Sequence, residues 1–226
     1  MTDLFTPLQA GDLALPNRIL MAPLTRCRAE DGHVPGELMA THYAQRASAG
    51  LLIAEATMAM EGNSAFWHEP GIHSEAQVAG WKKVTDAVHA AGGRIVLQIW
   101  HGGRACHSLL GGRQPVAPSP IAIQGDEIHT PEGKKPYEVP RELRDDELPG
   151  IVQAFAMAAR NAMAAATMVA AGFTGVPDAL AGPNNFFSAF SNDPRPEELV
   201  TGLGSRYEIL QATIKKWCVG SPIQGA

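Results

Sequence analysis

Cysteine is scarce in this chain: Cys27, Cys106 and Cys218 are the only three among 226 residues. An odd number in no metal-ligand spacing leaves neither a disulfide framework nor a metal site to expect, and it suits a reducing compartment. Long apolar runs are lacking as well, since no stretch approaches the roughly 18 consecutive apolar residues of a spanning helix. The opening Met1-Thr2-Asp3-Leu4-Phe5-Thr6-Pro7 has neither the basic n-region nor the apolar h-region of a secretory signal. Together these absences predict a cytoplasmic protein with no membrane anchor. Excess positive charge is missing too: 18 Lys and Arg stand against 23 Asp and Glu, a formal net charge of -5. Nothing there calls for a nucleic-acid or anionic-membrane partner. What remains is ordinary globular usage, 45% hydrophobic and 18% charged, with a small molecule as the default ligand. The length allows one large domain or two small ones.

The stretch from Asn17 to Arg28 organises the rest. Ile19, Leu20, Met21 and Ala22 predict a short buried strand that stops at Pro23, which has no N–H to give a ladder. Polar and basic residues follow at the strand's C-terminal end, where parallel α/β folds gather ligand-binding groups. Pro23, Leu24, Thr25 and Arg26 are therefore candidates, with an ordinary strand and basic loop as the alternative. Before them, Leu8, Leu13 and Leu15 around Gly11-Asp12 predict a small hairpin. After them, Pro35-Gly36 opens a helix through Arg46, with Leu38, Met39, His42 and Tyr43 spaced to cover one face. Leu51 to Ala54 form a second buried run that ends in Glu55, Ala56 and Thr57, which completes a βαβ unit.

The pattern then repeats. Ser74 with Gln77 three residues later reads as a capping box, and Val78, Trp81, Val84 and Val88 recur at helical spacing until Gly92-Gly93. A third buried strand, Ile95 to Trp100, runs into His101-Gly102-Gly103-Arg104. A buried Gln98 needs partners for its amide, and a flat heteroaromatic ring with imide-like edges offers complementary ones. From Gln114 to Arg144 the chain is rich in Pro and Gly without periodicity, which reads as a long excursion over a rim. Asp145, Asp146 and Glu147 load the start of another helix, whose apolar face is Ile151, Phe155, Ala158 and Ala162. Gly172 to Val176 would begin a fourth strand, interrupted at once by Pro177-Asp178.

Several longer stretches are specific in combination. They are Pro16-Asn17-Arg18, Met21-Ala22-Pro23-Leu24-Thr25-Arg26, Tyr43-Ala44-Gln45-Arg46-Ala47 and Gly50-Leu51-Leu52-Ile53-Ala54-Glu55-Ala56-Thr57. Further on come Glu69-Pro70-Gly71-Ile72, Trp81-Lys82, Gln98-Ile99-Trp100-His101-Gly102-Gly103-Arg104 and Ala117-Pro118-Ser119. In this order they resemble the old yellow enzyme family, FMN-dependent NAD(P)H oxidoreductases that reduce activated alkenes on a (β/α)8 barrel. The resemblance covers residues 3 to about 165. It implies that the Pro23 and Leu24 backbone and the Thr25 hydroxyl meet the flavin's pyrimidine edge and N5 side, with Thr25 tuning the ring. It also implies close approach at Ala56, a hydrogen bond from Gln98 to the pyrimidine edge, and a substrate side lined by Phe66 and Trp100. Core packing is the other reading of those two aromatics. His101, Arg104 and His107 carry no catalytic expectation.

Past residue 165 the family pattern breaks. The family places a His, and three residues later a His or Asn, after its fourth strand, and shortly afterwards a proton-delivering Tyr. An ungapped alignment puts Ala179, Gly182 and Asn184 there instead, and no His follows His129. Gly202-Leu203-Gly204-Ser205 before a candidate helix at 207–217 is weak as a phosphate loop. A (β/α)8 barrel takes about 250 residues, so about four βα units are expected here. The expected division is residues 1–165 as a partial (β/α)8 TIM barrel of the α/β class and residues 166–226 as a divergent tail. Open edges in such a sheet invite another chain, which makes a homo-oligomer an expectation. A non-catalytic remnant and a different barrel enzyme acting on a phosphorylated substrate are the competing readings.

Overall fold

Strand β4 (Leu51–Met58) is the centre of the fold, because its apolar run is buried on both sides. The computed structural model describes residues 3–11 and 13–166. The expected fourth strand at 172–176, the glycine loop at 202–205, the helix at 207–217 and the positions of Ala179, Gly182 and Asn184 lie outside the described residues. Ahead of β4, β1 (Leu8–Ala10) and β2 (Leu13–Leu15) form the expected antiparallel hairpin, with Leu8 opposite Leu15. Strand β3 (Leu20–Met21) pairs parallel with the start of β4, and β5 (Ile95–Trp100) pairs parallel along its length. The order β3-β4-β5 is that of consecutive strands in a parallel barrel wall.

Helices cover one face of this sheet. Helix α1 (Glu37–Ala44) links β3 to β4, and α2 (Glu75–Ala90) links β4 to β5. The capping box that starts α2 is present: Gln77 N–H donates to Ser74 Oγ at 3.3 Å, and Gln77 Oε1 accepts the Ser74 N–H at 3.2 Å. Gly92, at φ +79°, ends the helix in the left-handed region that a side chain disfavours. Between the helices and the sheet, Met39, Tyr43, Leu52, Ala54, Trp81, Val84, Val88 and Ile95 form one buried core. Gly80 lets the helix layer close up, since a Cβ there would lie 2.5 Å from the Pro35 carbonyl oxygen. After β5, a short helix α3 (Ser108–Gly111) leads to strand β6 (Val116–Ala117), the hairpin β7 (Glu127–Thr130) with β8 (Gly133–Pro136), and β9 (Arg141–Glu142). Helix α4 (Leu148–Ala165) then packs onto α2 through Thr85 Oγ1, which donates to the Ala165 carbonyl at 2.6 Å.

Several expectations are corrected. Ile19 to Ala22 do not make a buried strand: only Leu20–Met21 are extended in the ladder, and Ile19 and Leu20 are 40% and 46% exposed. Among the described residues β3 is an edge strand, so no neighbour covers its outer side. On β5 the burial alternates: Ile95 faces the helices, while Val96 and Gln98 are exposed on the opposite face. Gln98 is thus not the buried amide that its apolar neighbours suggested. Leu38 on α1 is exposed, and the covered face is Met39, Ala40 and Tyr43 instead. The excursion from 114 to 144 carries two small sheets, which its lack of apolar periodicity did not disclose.

One irregularity shapes β4. Ala54 registers with Leu97 but Ala56 with Gln98, so Glu55 is an extra residue, a β-bulge. Its side chain is fully buried. Tyr43 on α1 satisfies it twice: the phenol accepts the Glu55 N–H at 2.9 Å and donates to Oε1 at 3.0 Å. Removing that hydroxyl strands a buried N–H and weakens the support of a buried carboxyl. Tyr43→Phe should therefore lower stability by about 1–3 kcal/mol, read as an earlier urea midpoint. Combined with Glu55→Gln it should lose less than the two single changes together.

Candidate functional site

The open face of the sheet carries the candidate residues. In a parallel ladder, registered partners point to the same side. Ile53 with Val96, Ala56 with Gln98, and Met58 with Trp100 therefore share the face opposite the helices. The bulge at Glu55 matters here, because without the extra residue Ala56 would point into the helix layer with Ala54. Ala56 is buried and small, and beside it Gln98 is exposed with no side-chain hydrogen bond among the described residues.

The loop after β3 is tied to the bulge itself. Arg26 N–H donates to Glu55 Oε2 at 2.9 Å, which pins the Pro23–Arg26 segment beside the bulge. Leu24 is 61% exposed, Pro23 and Thr25 are half-buried, and the Thr25 hydroxyl has no partner among the described residues. Burial raises the Glu55 carboxyl above its ordinary value, against the pull of the Arg26 N–H, the Tyr43 hydroxyl and the Arg26 and Arg28 charges. The same burial and the Glu55 charge push the Tyr43 phenol up. A cavity of about 240 Å³ opens between this loop and α1, lined in part by Arg26, Arg28, His42 and Glu55.

Phe66 and Trp100 stand together at the C-terminal end of β5. Their rings stack with centroids 5.7 Å apart at 17°, and Phe66 is 43% exposed, so the pair is not sunk in the core. Ala56, Gln98 and Trp100 share the open face, Phe66 stacks on Trp100, and Thr25 lies in the loop tied to the bulge. His101, Arg104 and His107 are held by loop contacts. Gly103 N–H donates to His101 Nδ1 at 3.0 Å, Arg104 Nη2 donates to Ser119 Oγ at 2.9 Å, and His107 Nδ1 accepts the Leu109 N–H at 3.1 Å. Burial lowers the His101 imidazole below its ordinary value.

Sequence reasoning gave no role to Glu55, Asn63 or Glu69. Asn63 Oδ1 accepts the Gly102 N–H at 2.5 Å, which ties the turn after β5 to the segment after β4. Glu69 is fully buried, and its Oε1 accepts the N–H groups of Ala65 at 2.5 Å and Phe66 at 3.3 Å. Desolvation raises its carboxyl to about 7. A carboxylate in a loop reads as solvated. Nothing local in the sequence marks this one as buried.

Comparison with known proteins yields a coherent set. The model of the NADH:flavin oxidoreductase / NADH oxidase family matches residues 3–176. A curated relative from Leishmania infantum, "Probable flavin mononucleotide-dependent alkene reductase", is 42% identical over 223 residues, covering 92% of this chain and 59% of its own length. Its alignment therefore continues past 176. Among solved structures, the old yellow enzyme homologue from Zymomonas mobilis is 51% identical with a TM-score of 0.69, over 72% of this chain and 45% of that one. Morphinone reductase in complex with tetrahydroNAD is 50% identical with a TM-score of 0.69, over 73% of this chain and 47% of that one. The chain spans about half the length of most of the relatives it matches. These likenesses agree with the partial (β/α)8 barrel expected for the fold.

Glu69 binds its proton more tightly folded than unfolded, so between about pH 4.5 and 7 the native state holds more protons. Stability should fall as pH rises through that window, by on the order of 3 kcal/mol. Glu69→Gln should remove this contribution and leave a shallower slope from Glu55, measured as urea midpoints from pH 4.5 to 8.

Proposed function

The chain belongs to the NADH:flavin oxidoreductase / NADH oxidase family, and on that premise we propose that its open sheet face is an FMN site of the old yellow enzyme type. We take its reaction to be reduction of activated alkenes with NAD(P)H as electron source. The observation that carries this reading is the shared face of Ala56 and Gln98 beside the pinned Thr25 loop. The Gln98 amide and the Thr25 hydroxyl have no hydrogen-bond partner among the described residues. A flavin pyrimidine edge alternates carbonyl and N–H groups, which complement that unpartnered donor and acceptor set. The small Ala56 side chain between them leaves room for a flat ring.

When bound, FMN would supply the two-electron hydride chemistry that side chains lack. In this reading Gln98 orients the pyrimidine edge and the Pro23 and Leu24 backbone flanks it. Thr25 donates a hydrogen bond that favours the electron-rich form. Phe66 and Trp100 form the wall against which an activated alkene lies flat, and the proton comes from water or from a group outside the described residues.

A second reading draws on other residues. Ile19, Leu20, Leu24 and Val96 are large apolar side chains, each 37% exposed or more. They suit a second copy of the chain on this sheet, which makes a homo-oligomer part of the proposal.

The purified chain should show flavin absorption and a flavin-to-chain ratio near one after incubation with FMN. Gln98→Ala should weaken FMN binding by about tenfold, the worth of one hydrogen bond lost from a confined site. Thr25→Ala should make the bound flavin's potential more negative by about 30–60 mV, from about 1.5–3 kcal/mol for a charge-assisted hydrogen bond. A colourless chain that takes up no FMN rejects the reading, and an elution volume at the monomer position rejects the oligomer.

A further inference from the structure

The loop from Asn63 to Glu69 and the end of β5 meet at a buried carboxyl that the flavin reading does not use. Glu69 is fully buried, and its backbone and side chain both reach the aromatic pair. Its N–H donates to the Phe66 carbonyl at 3.0 Å, while Oε1 accepts the N–H groups of Ala65 and Phe66. This closes residues 65–69 into a loop that carries Phe66. The other oxygen, Oε2, has no hydrogen-bond partner among the described residues, and neither does the buried Nε1 of Trp100. One is an acceptor and the other a donor, and after the Ala65 N–H, the Ser64 hydroxyl and the Phe66 N–H, the indole N–H also lies near enough to the carboxyl to favour its charged form.

We propose that Glu69 is a positioning residue for the substrate wall, with Oε1 holding the Phe66 backbone and Oε2 addressing the Trp100 indole N–H, so that a single carboxyl sets how the two rings stack. This rests on the reading of Phe66 and Trp100 as the wall that meets an alkene. Geometry favours the assignment over a purely local role. A loop-closing carboxyl needs only Oε1, whereas here the second oxygen and the indole nitrogen are both buried without a hydrogen-bond partner among the described residues, one an acceptor and the other a donor. The stacked geometry, 5.7 Å at 17°, is the arrangement that this common anchor would fix. The ionised carboxylate binds the indole N–H more strongly than the neutral acid does, so the hold on Trp100 tightens as Glu69 loses its proton.

Other titratable groups surround it. Burial raises the Cys27 and Cys106 thiols, Cys106 up to about 12, with the Glu55 and Glu69 charges adding at Cys27 and the Glu69 charge at Cys106. His33 Nδ1 meets the Glu69 backbone carbonyl at 2.7 Å, and His101 follows Trp100 in the chain. Those histidines are the groups from which a Glu69 titration must be told apart.

The test follows the four indole N–H signals of the full-length chain by 15N–1H correlation spectra from pH 5 to 9, with Trp100 identified by its loss in Trp100→Phe. The Trp100 signal should move with one midpoint near pH 7, and the movement should vanish in Glu69→Gln. Glu69→Asp, which keeps the charge on a shorter stem, should shift the midpoint without abolishing it, and it serves if the Gln variant does not fold. In FMN-loaded enzyme, Glu69→Gln should raise KM for an activated alkene about three- to tenfold with kcat nearly unchanged. A Trp100 signal that stays flat in the unaltered chain, or a titration that survives in Glu69→Gln, overturns the proposal. The indole measurement needs no flavin, so failure to bind FMN removes the flavin reading and leaves this result to stand by itself.

Discussion

The buried Glu55 carboxyl is the constraint on which the rest of this structure depends. It sits on an extra residue in the central strand, and burial without partners would be costly. Two elements answer that demand, α1 through the Tyr43 hydroxyl and the loop after β3 through the Arg26 N–H, and the same Tyr43 hydroxyl accepts the N–H of Glu55 on β4. One side chain thus fixes the helix, the loop and the strand relative to one another. The bulge that creates the demand also turns Ala56 toward the open face beside Gln98. Fold and candidate site are in this sense consequences of the same hydrogen bonds.

A second buried carboxyl repeats the device at the far end of the sheet. Glu69 closes the loop that carries Phe66 and lies against the end of β5, as Glu55 ties the loop after β3 to β4. Burial raises both carboxyls, so in both the neutral acid is favoured relative to the unfolded chain. Both groups stand under loops, beside the residues proposed to meet the flavin and the alkene.

The exposed face is the other organising feature. Val96 and Gln98 lie on a strand whose alternate residues are packed under helices, and Ile19 and Leu20 lie on an edge strand. In a closed barrel the corresponding faces and edges are covered by neighbouring strands. Here the described residues supply three parallel strands, which accounts for exposure that the apolar runs themselves did not announce.

Much of the architecture was legible in the residues. The Ser74-to-Gln77 box, the 3.6-residue recurrence of Trp81, Val84 and Val88, and the apolar runs at Leu51 and Ile95 are local signals, and their elements formed where periodicity put them. The family motifs marked Thr25, Ala56, Gln98, Phe66 and Trp100 as one set, and of these Ala56, Gln98 and Trp100 share one face of the sheet with Phe66 stacked on Trp100. Sequence by itself therefore determined the long helices and the central strands β4 and β5 in their parallel order, because propensity and amphipathic period act over a few residues. Tertiary structure decided what depends on contacts between distant residues: that Glu55 is a bulge satisfied by Tyr43, that Glu69 is buried against the aromatic pair, and that Gln98 is exposed. A carboxylate or an amide carries no local mark of its burial, since that is set by whichever elements happen to close over it.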